Sequence, residues 1–438
     1  MRKLKLLFAA AALFGGVCSG SAQSWTASEV GEGYALLYNV GTGKYFTRGN
    51  GWDTQASVGD EGSAMTVNLE ANNGKYKIRT QNSYGLECLS GGTVYTDQSR
   101  GKTATWTFTE VDAGNHIYNI ISADNHGDGS GKYLTAEGGE STIVGPGSDG
   151  NSANAQWKIL LHDDRPAALL ETMKNATEEE PVDVTCFIKD ANFGSFSDIA
   201  LQCWTVTASN KNLNGGLLTN PCAETFRNGG GKFSQTITVP NGTYVVKCQG
   251  FYDPRSGDTP STLFANNETP VSLKKFNANG EGHNASMNGA STAFTDGYYE
   301  NEIQVTVTGK SLTIGIEGND GNWTCFDNFR LSYLGPLDLS SFETALSEAL
   351  TAAKAITDKM NADVASALAD AISSYDRKAY DNEDDYTTAI TAVTTAVTNA
   401  TASVANYAKV KAAIDKANTD ASTFDADGKA AFNISGSS

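Results

Sequence analysis

The chain has 438 residues, 50 of them acidic and 32 basic, which gives a formal net charge of −18 at pH 7. Such an excess of negative charge repels nucleic acid and anionic lipid, so neither is expected as a partner. Charged residues make up only 19% of the chain while 45 residues are glycine, a composition that favours turn-rich β domains over disorder. The length corresponds to roughly two to four domains.

The first 22 residues have the pattern of a secretory signal peptide. Three cations precede an apolar run at residues 6–14, and small residues follow up to Ala22. The mature protein is therefore expected to begin at Gln23 and to be secreted, periplasmic or at the cell surface. No later stretch approaches the roughly 20 apolar residues of a membrane-spanning helix, so no membrane insertion is expected.

Six cysteines follow the leader, and none has the spacing of a metal-binding motif. In an oxidising compartment a pair such as Cys203 and Cys222 can form a disulfide. The alternative is that the cysteines are buried thiols that pack as small apolar residues.

Residues 24–163 contain a threefold repeat. The pentapeptide GKYFT at residues 43–47 returns as GKYLT at 131–135, with a degenerate copy at 84–89. Each copy is followed by a large apolar landmark, and these landmarks are Met65, Trp106 and Trp157. Such a period predicts repeated units of short strands that share one core, because no single unit buries its apolar face alone.

This segment resembles a β-trefoil lectin domain of the ricin-B type, whose repeats end in Gln-x-Trp. Gln156-Trp157-Lys158 matches that signature, Trp106 keeps only the tryptophan, and Met65 replaces it. The resemblance implies a sugar pocket on one or more of the three repeats, though not on every one. A pocket of this kind needs an aromatic face for the sugar ring and polar groups for its hydroxyls.

The candidate sugar-binding residues of this segment lie in two loops. The first loop offers Trp52, Asp53 and Gln55, and the third repeat offers Asp124 and Asn125 without an aromatic residue. The alternative is that Trp52 packs under its own loop and Asp53 caps a turn.

Residues 164–181 predict a short helix and a linker, and residues 182–335 return to alternating strands without helices. This pattern predicts an antiparallel β-sandwich. The segment resembles the galactose-binding-like jelly rolls, which include many carbohydrate-binding modules. The resemblance rests on residues 183–185, 241–244, 250–252, 312–316 and 323–334. It implies glycan contacts from loop residues, with Trp323 and Arg255 as candidates.

The closing strand of this segment carries an unusual carboxylate. Strict alternation places Asp327 on the same face as the apolar Phe329, Leu331 and Tyr333, where an unpaired charge is costly. The jelly-roll resemblance implies a structural calcium ion held by Asp327, with Asp183 as a second ligand. The alternative is that Asp327 accepts backbone N–H bonds without a metal. Arg330, on the opposite face, is either a hydroxyl donor or an ordinary exposed cation.

From Leu337 onward apolar residues recur at helical spacing. Residues 337–403 predict a three-helix bundle, and residues 404–438 predict the start of a second, incomplete helical repeat that begins near Tyr407. This part resembles the helical spacer modules known as found-in-various-architectures (FIVAR) repeats. The whole chain is thus expected to be a multidomain, mainly β protein: an N-terminal β-trefoil, a central jelly roll and a C-terminal helical bundle.

Motifs of nucleophilic, zinc-dependent and phosphate-binding enzymes are absent from the sequence. We therefore expect an exported, non-catalytic protein that binds a glycan or polysaccharide through tandem β domains. One alternative is the accessory region of a longer glycoside hydrolase, and another is a structural surface adhesin. Either alternative adds a catalytic or surface-anchoring region as a partner.

Overall fold

The computed structural model describes residues 30–423, apart from 51–54, 90–92, 113–114, 116, 124–130, 139–142, 165–166, 227–228 and 278–282. The described chain is mainly β and ends in a helical region. Its internal contacts divide it into two compact units between Pro336 and Leu337. Among the described helices, none is both long and apolar enough to cross a membrane.

The N-terminal β region consists of twelve strands: β1 Gly33–Asn39, β2 Lys44–Asn50, β3 Gln55–Gly59, β4 Val67–Asn72, β5 Lys75–Arg79, β6 Gly85–Leu89, β7 Thr93–Gln98, β8 Trp106–Asp112, β9 Ile117–Ser122, β10 Tyr133–Ala136, β11 Val144–Gly147 and β12 Gln156–Leu161. Strands β1, β4, β5, β8, β9 and β12 pair in a closed ring. The remaining strands form three hairpins, β2–β3, β6–β7 and β10–β11. The result is a six-stranded barrel with three hairpins.

The three landmarks of the sequence repeat lie together in the core of this barrel. Met65, Trp106 and Trp157 are each at most 1% exposed. The Trp106 indole N–H donates to the Leu86 carbonyl at 3.1 Å and that of Trp157 to the Leu134 carbonyl at 2.8 Å. In the first repeat the backbone N–H of Met65 donates to the equivalent carbonyl, that of Phe46, at 2.9 Å. Each repeat therefore ends with the same contact, made by an indole where tryptophan is present and by the backbone where it is not.

The central β region consists of three short helices and two sheets, which are antiparallel apart from one short parallel pair. The helices are α1 Ala167–Met173, α2 Ser197–Cys203 and α3 Met287–Thr295. The strands are β13 Val182–Asp183, β14 Thr205–Val206, β15 Lys211–Leu217, β16 Asn220–Thr225, β17 Gly231–Thr238, β18 Gly242–Pro254, β19 Thr262–Ala265, β20 Val271–Ser272, β21 Lys274–Lys275, β22 Glu300–Val307, β23 Ser311–Gly318 and β24 Asn322–Gly335. One sheet has the order β15-β16-β24-β18-β21, with β22 beside β18, and the other has the order β14-β17-β23-β19-β20.

Helices α2 and α3 correct the expectation of a segment without helices. Both are short, and α3 is built mainly from small residues in the sequence MNGASTAFT, so neither shows a strong apolar period. The Ser286 side chain accepts a hydrogen bond from the Gly289 N–H and starts α3. Helix α3 packs on the outer face of the first sheet, where Phe294 joins Phe251 and Trp323 in a second apolar cluster.

Asn328 changes the face on which the residues of β24 lie. Its φ angle is +51°, and the register with β18 shifts between the pairs Lys247–Arg330 and Gln249–Asp327. This is a β-bulge, which places one extra residue in β24. Phe326 and Phe329 consequently both face the core between the sheets, while Asp327 lies on the outer face. The prediction that Asp327 shares a face with Phe329 is wrong, because alternation does not continue through a bulge.

The helical region contains α4 Ser340–Ala355, α5 Ala362–Tyr375 and α6 Glu383–Ser422. Leu346, Leu350, Leu368, Tyr386 and Val393 form its core. Helix α6 continues without a break through residue 404, so the predicted boundary between two helical repeats falls inside one helix. The helix continues there because residues 400–408 are rich in alanine, the strongest helix former, and contain neither glycine nor proline.

The shared core of the barrel predicts a large effect for Trp157→Ala. The substitution removes a fully buried indole and its hydrogen bond to Leu134, so the free energy of unfolding should fall by about 3–5 kcal/mol. Urea denaturation followed by tryptophan fluorescence and circular dichroism measures this change. Val111→Ala, at a position 43% exposed on β8, is the control and should change the unfolding free energy by less than about 0.5 kcal/mol. An equal effect of both substitutions would contradict the shared core.

Candidate ligand-binding site

The N-terminal and central β regions are joined through a buried layer of polar side chains. The Thr66 backbone N–H donates to Ser195 Oγ at 3.0 Å, and Ser195 Oγ donates back to the Thr66 carbonyl at 3.2 Å. The Thr66 hydroxyl lies 3.1 Å from His162 Nε2 and accepts from the Asp190 N–H at 3.3 Å. Each of these four residues is at most 5% exposed. Because buried polar groups are costly when separated from their partners, this layer holds the two regions in one arrangement.

One cation and one amide side chain strengthen the same contact. Arg48 is 6% exposed, donates from Nη2 to the Asn214 carbonyl at 2.9 Å and lies over the Phe196 ring at 5.8 Å. Asn192 donates to the carbonyls of Glu61 and Ala64, at 2.8 and 3.1 Å. These bonds position the 3₁₀ turn Glu61–Ser63 of the N-terminal region against the outer face of the first central sheet.

A cleft opens beside this turn, and we call it the junction cleft. Its volume is about 460 Å³. Residues of both β regions line it, and most of them are polar: Asp60, Gly62, Thr219, Asn220, Lys247, Cys248, Gln249, Phe294, Thr295, Glu300, Asn328 and Arg330. Strands β16, β18 and β24 provide its floor, and α3 borders one side.

The floor of the junction cleft is a network of side-chain amides. Asn328 donates from Nδ2 to Gln249 Oε1 at 2.7 Å and to Asn220 Oδ1 at 3.2 Å. Gln249 in turn donates from Nε2 to the Phe294 carbonyl at 2.6 Å, which ties the floor to α3. A β-carbon at Gly62 would lie only 2.9 Å from Asn220 Oδ1, so the turn approaches the floor this closely because residue 62 is glycine. The β-bulge at Asn328 aims its amide into this network.

Charged side chains occur on both sides of the floor. Lys247 lies within 3.0 Å of Glu300 and 3.2 Å of Glu302, and Asp60 lies within 3.0 Å of Lys44. Arg330 is half-buried and stands opposite Lys247 in the register of β18 and β24. Its Nη1 donates to the Phe329 carbonyl at 3.1 Å.

Asp327 lies beneath the cleft floor and is fully buried. Neither of its carboxyl oxygens accepts a hydrogen bond of normal geometry. Burial raises the pKa of Asp327 well above its usual range, Cys222 acts in the same direction, and the Asn328 backbone N–H and Arg330 act in the opposite one. Burial therefore favours the neutral form of this carboxyl.

The structure does not bring the two predicted calcium ligands together. Asp183 pairs with Ser332 in the sheet register and accepts a hydrogen bond from the Thr185 N–H at 2.8 Å. Ser332 is five positions from Asp327 along β24, which corresponds to roughly 16 Å. The described part of the chain contains no group of three or more His, Cys, Asp or Glu residues able to hold a metal. The register of the first sheet therefore separates Asp183 from Asp327, and the prediction that both hold one calcium ion is wrong.

The structure does bring Trp323 and Arg255 together. The Arg255 guanidinium lies over the Trp323 ring at 5.8 Å and pairs with Asp253 at 2.6 Å, while the Trp323 indole N–H donates to Glu224 at 2.7 Å. Trp323 is 7% exposed because Phe251 and Phe276 cover its other sides. The ring is thus largely covered by its neighbours, and a glycan contact by Trp323 stays a prediction.

Four of the predicted sugar-binding residues, Trp52, Asp53, Asp124 and Asn125, lie outside the described residues. Gln55 begins β3 and pairs with Tyr95 of β7. Sequence reasoning missed Asn220, Gln249 and Asn328 as a group. The Asn-Gln-Asn set carries no spacing signal, because its members come from three different strands.

The structure does not bring Cys203 and Cys222 together as the possible disulfide would require. Cys203 belongs to the core between the sheets, whereas Cys222 belongs to the cluster under α3. Cys222 Sγ instead lies 3.5 Å from Cys325 Sγ. Both residues are fully buried thiols on the outer face of the first sheet.

Comparisons with known proteins give only distant likenesses. No family model and no curated protein sequence matches the chain. Among solved structures, a ricin B-like lectin of Macrolepiota procera in complex with lactose is 15% identical, with a TM-score of 0.24, and the match covers 32% of this chain and 99% of the lectin. TmCBM61 in complex with β-1,4-galactotriose is 14% identical, with a TM-score of 0.21 and coverages of 33% and 96%.

A salivary protein from Culex quiquefasciatus, of the Cysteine and Tryptophan-Rich family, is 16% identical, with a TM-score of 0.25 and coverages of 31% and 97%. Because all three TM-scores lie below 0.5 and all three identities below 25%, we take no function from these likenesses.

The buried layer predicts a pH dependence of stability that Asp190 controls. Burial raises the pKa of Asp190 to about 6, although hydrogen bonds from Ser195 and the charge of Arg48 act to lower it. The folded protein therefore binds the Asp190 proton more tightly than the unfolded chain, and this contribution is complete below pH 3.8 and lost as the pH rises through 6. Its size is up to about 3 kcal/mol.

Asp190→Asn should remove this decline, so the variant should become more stable relative to the wild type as the pH rises from 4 to 7. Urea denaturation at several pH values measures the difference between the two free energies of unfolding. Asp149→Asn, at an exposed position of a loop, is the control. A wild-type-minus-variant difference that does not change with pH would refute this role of Asp190.

Proposed function

We propose that this protein is an exported, non-catalytic carbohydrate-binding protein and that the junction cleft holds its glycan. The observation that carries the proposal is the amide floor that Asn220, Gln249 and Asn328 form in a cleft lined by both β regions. Export follows from the signal-peptide pattern of the first 22 residues.

The chemistry of the cleft suits a sugar better than an apolar ligand. Its volume of about 460 Å³ is within the range of small-ligand sites, but its lining is mostly amide, hydroxyl and charged side chains. A sugar ring offers hydroxyls that both donate and accept, and amides can satisfy both roles with one side chain. An apolar ligand would leave these polar groups without partners, at a cost for each of them.

The architecture supports the same proposal. A closed barrel of six strands with three hairpins and a threefold core contact is the arrangement of a β-trefoil, so we assign residues 24–163 to a ricin-B-like domain. We assign residues 182–335 to a galactose-binding-like jelly roll from their two packed, mainly antiparallel sheets. The helical region is then a FIVAR-like spacer.

The arrangement of charges supports binding rather than glycan hydrolysis. Glycosidases use a pair of carboxyl groups placed across the scissile bond, one as an acid and the other as a base or nucleophile. The two acidic side chains that line the cleft, Asp60 and Glu300, are each held by a lysine. Incubation of bound polysaccharide with the protein tests this point directly, because the appearance of new reducing ends would contradict a purely binding role.

Thr219→Trp tests the location of the site. Thr219 is exposed at the rim of the cleft, so an indole there fills the opening without disturbing a core. We expect the full-length variant to lose at least about tenfold in glycan affinity, a difference of about 1.4 kcal/mol. A glycan array identifies a ligand for the wild type, and isothermal titration calorimetry then compares the two proteins.

The matched control is Thr308→Trp, which adds the same side chain at an exposed position outside the residues that line the cleft. It should leave the affinity within twofold of the wild type. If Thr219→Trp binds the glycan as tightly as Thr308→Trp does, the site lies elsewhere on the molecule.

A further inference from the structure

Resting on the proposed function, we propose that the junction cleft selects an anionic glycan and that Arg330 binds its carboxylate or sulfate group. This assigns a ligand class to the cleft and a specificity role to one residue of β24.

Arg330 is a cation without an ion pair in the described part of the chain. Its guanidinium makes one hydrogen bond, from Nη1 to the Phe329 carbonyl at 3.1 Å. An arginine side chain has five N–H donors, so most of its donors remain available to a ligand. The residue is half-buried and borders the junction cleft, where a bound group would be partly shielded from water.

The neighbouring carboxylates pair with lysines and not with Arg330. Lys247, which stands opposite Arg330 across the two strands, holds Glu300 and Glu302 at 3.0 and 3.2 Å. Asp60 pairs with Lys44 at 3.0 Å. Glu61 lines a narrow cavity of about 30 Å³ on the other side of Arg330 but makes no ion pair with it.

Asp327 is the remaining acidic group near Arg330, and it lies beneath the cleft floor. Full burial raises its pKa well above the usual range, so its neutral form is favoured and offers Arg330 no compensating charge. Among the described residues, therefore, no carboxylate forms an ion pair with Arg330, and its guanidinium can pair directly with an anionic group of a ligand.

The geometry of the side chains fits one charged group on a sugar ring. A guanidinium binds a planar carboxylate or a sulfate through two parallel N–H bonds, which a lysine cannot reproduce. Asn328 and Gln249, on the same floor, can then bond the hydroxyls of that ring. The net charge of −18 repels a polyanion at long range, but salt screens that repulsion beyond about 8 Å at physiological ionic strength. The local contact with Arg330 therefore decides the affinity.

The test compares charged and neutral forms of the same polymer with the full-length protein. Polygalacturonate and its fully methyl-esterified form differ only in the carboxylate, and dextran sulfate and dextran differ only in the sulfate. Affinity gel electrophoresis and titration calorimetry at about 150 mM salt give the affinities. We expect at least a tenfold preference for one charged form over its neutral counterpart, and the preferred pair shows whether a carboxylate or a sulfate is bound.

Arg330→Gln should remove this preference, with a loss of about tenfold on the charged polymer and less than twofold on the neutral one. Arg330→Lys should recover only part of the loss. Arg377→Gln removes the same charge at an exposed position outside the cleft lining and should change neither affinity. Thermal melting checks that every variant is folded.

Two results would overturn the inference while leaving the proposed function intact. One is tighter or equal binding of the neutral polymers by the wild type, and the other is an equal loss on charged and neutral polymers in Arg330→Gln. A folded wild-type protein that binds no glycan of either kind would instead overturn the proposed function itself.

Discussion

The buried polar contact between Thr66 and Ser195 is the constraint on which the rest of the binding architecture depends. Thr66 comes directly after the first landmark of the barrel, Met65, whose own N–H bonds the Phe46 carbonyl. The same residue therefore links the barrel core to the central sheets. Separation of the two β regions would expose several buried donors and acceptors together, so the regions are expected to move as one body.

That rigid contact is what creates the cleft. The turn Glu61–Ser63 belongs to the barrel, while the amide floor belongs to the first central sheet. Asp60 and Gly62 of the barrel complete a wall of the cleft that the central region does not provide by itself. Glycine at position 62 keeps the turn close to Asn220, because any side chain there would compete for the same space.

The β-bulge at Asn328 adds a second, local constraint. A residue with positive φ interrupts the alternation of β24 and turns an amide toward Gln249 and Asn220. Asparagine tolerates this conformation better than most residues and also provides the donor that the floor needs. The same bulge moves Asp327 out of the core between the sheets and places it under the floor, where burial raises its pKa and favours its neutral form.

Local pattern was enough to determine much of the fold. Met65, Trp106 and Trp157 follow three related segments, and apolar residues alternate along strands such as β17 and β22, so the buried faces follow from periodicity. The change to helical spacing after Leu337 is equally readable from the sequence. These features depend on neighbours within a few residues, and the sequence contains that information directly.

Only the tertiary structure decided the site. Asp60, Asn220, Gln249 and Asn328 are distant in the chain and meet through sheet register and the contact between two regions, neither of which has a local signature. A single bulge moved Asp327 to the other face of the sheet. Most of the Trp323 ring is covered by its neighbours Phe251, Phe276 and Arg255. The sequence shows the chemistry of each side chain but not the direction in which the side chain points. That direction is set by backbone geometry and by neighbours that come from elsewhere in the chain.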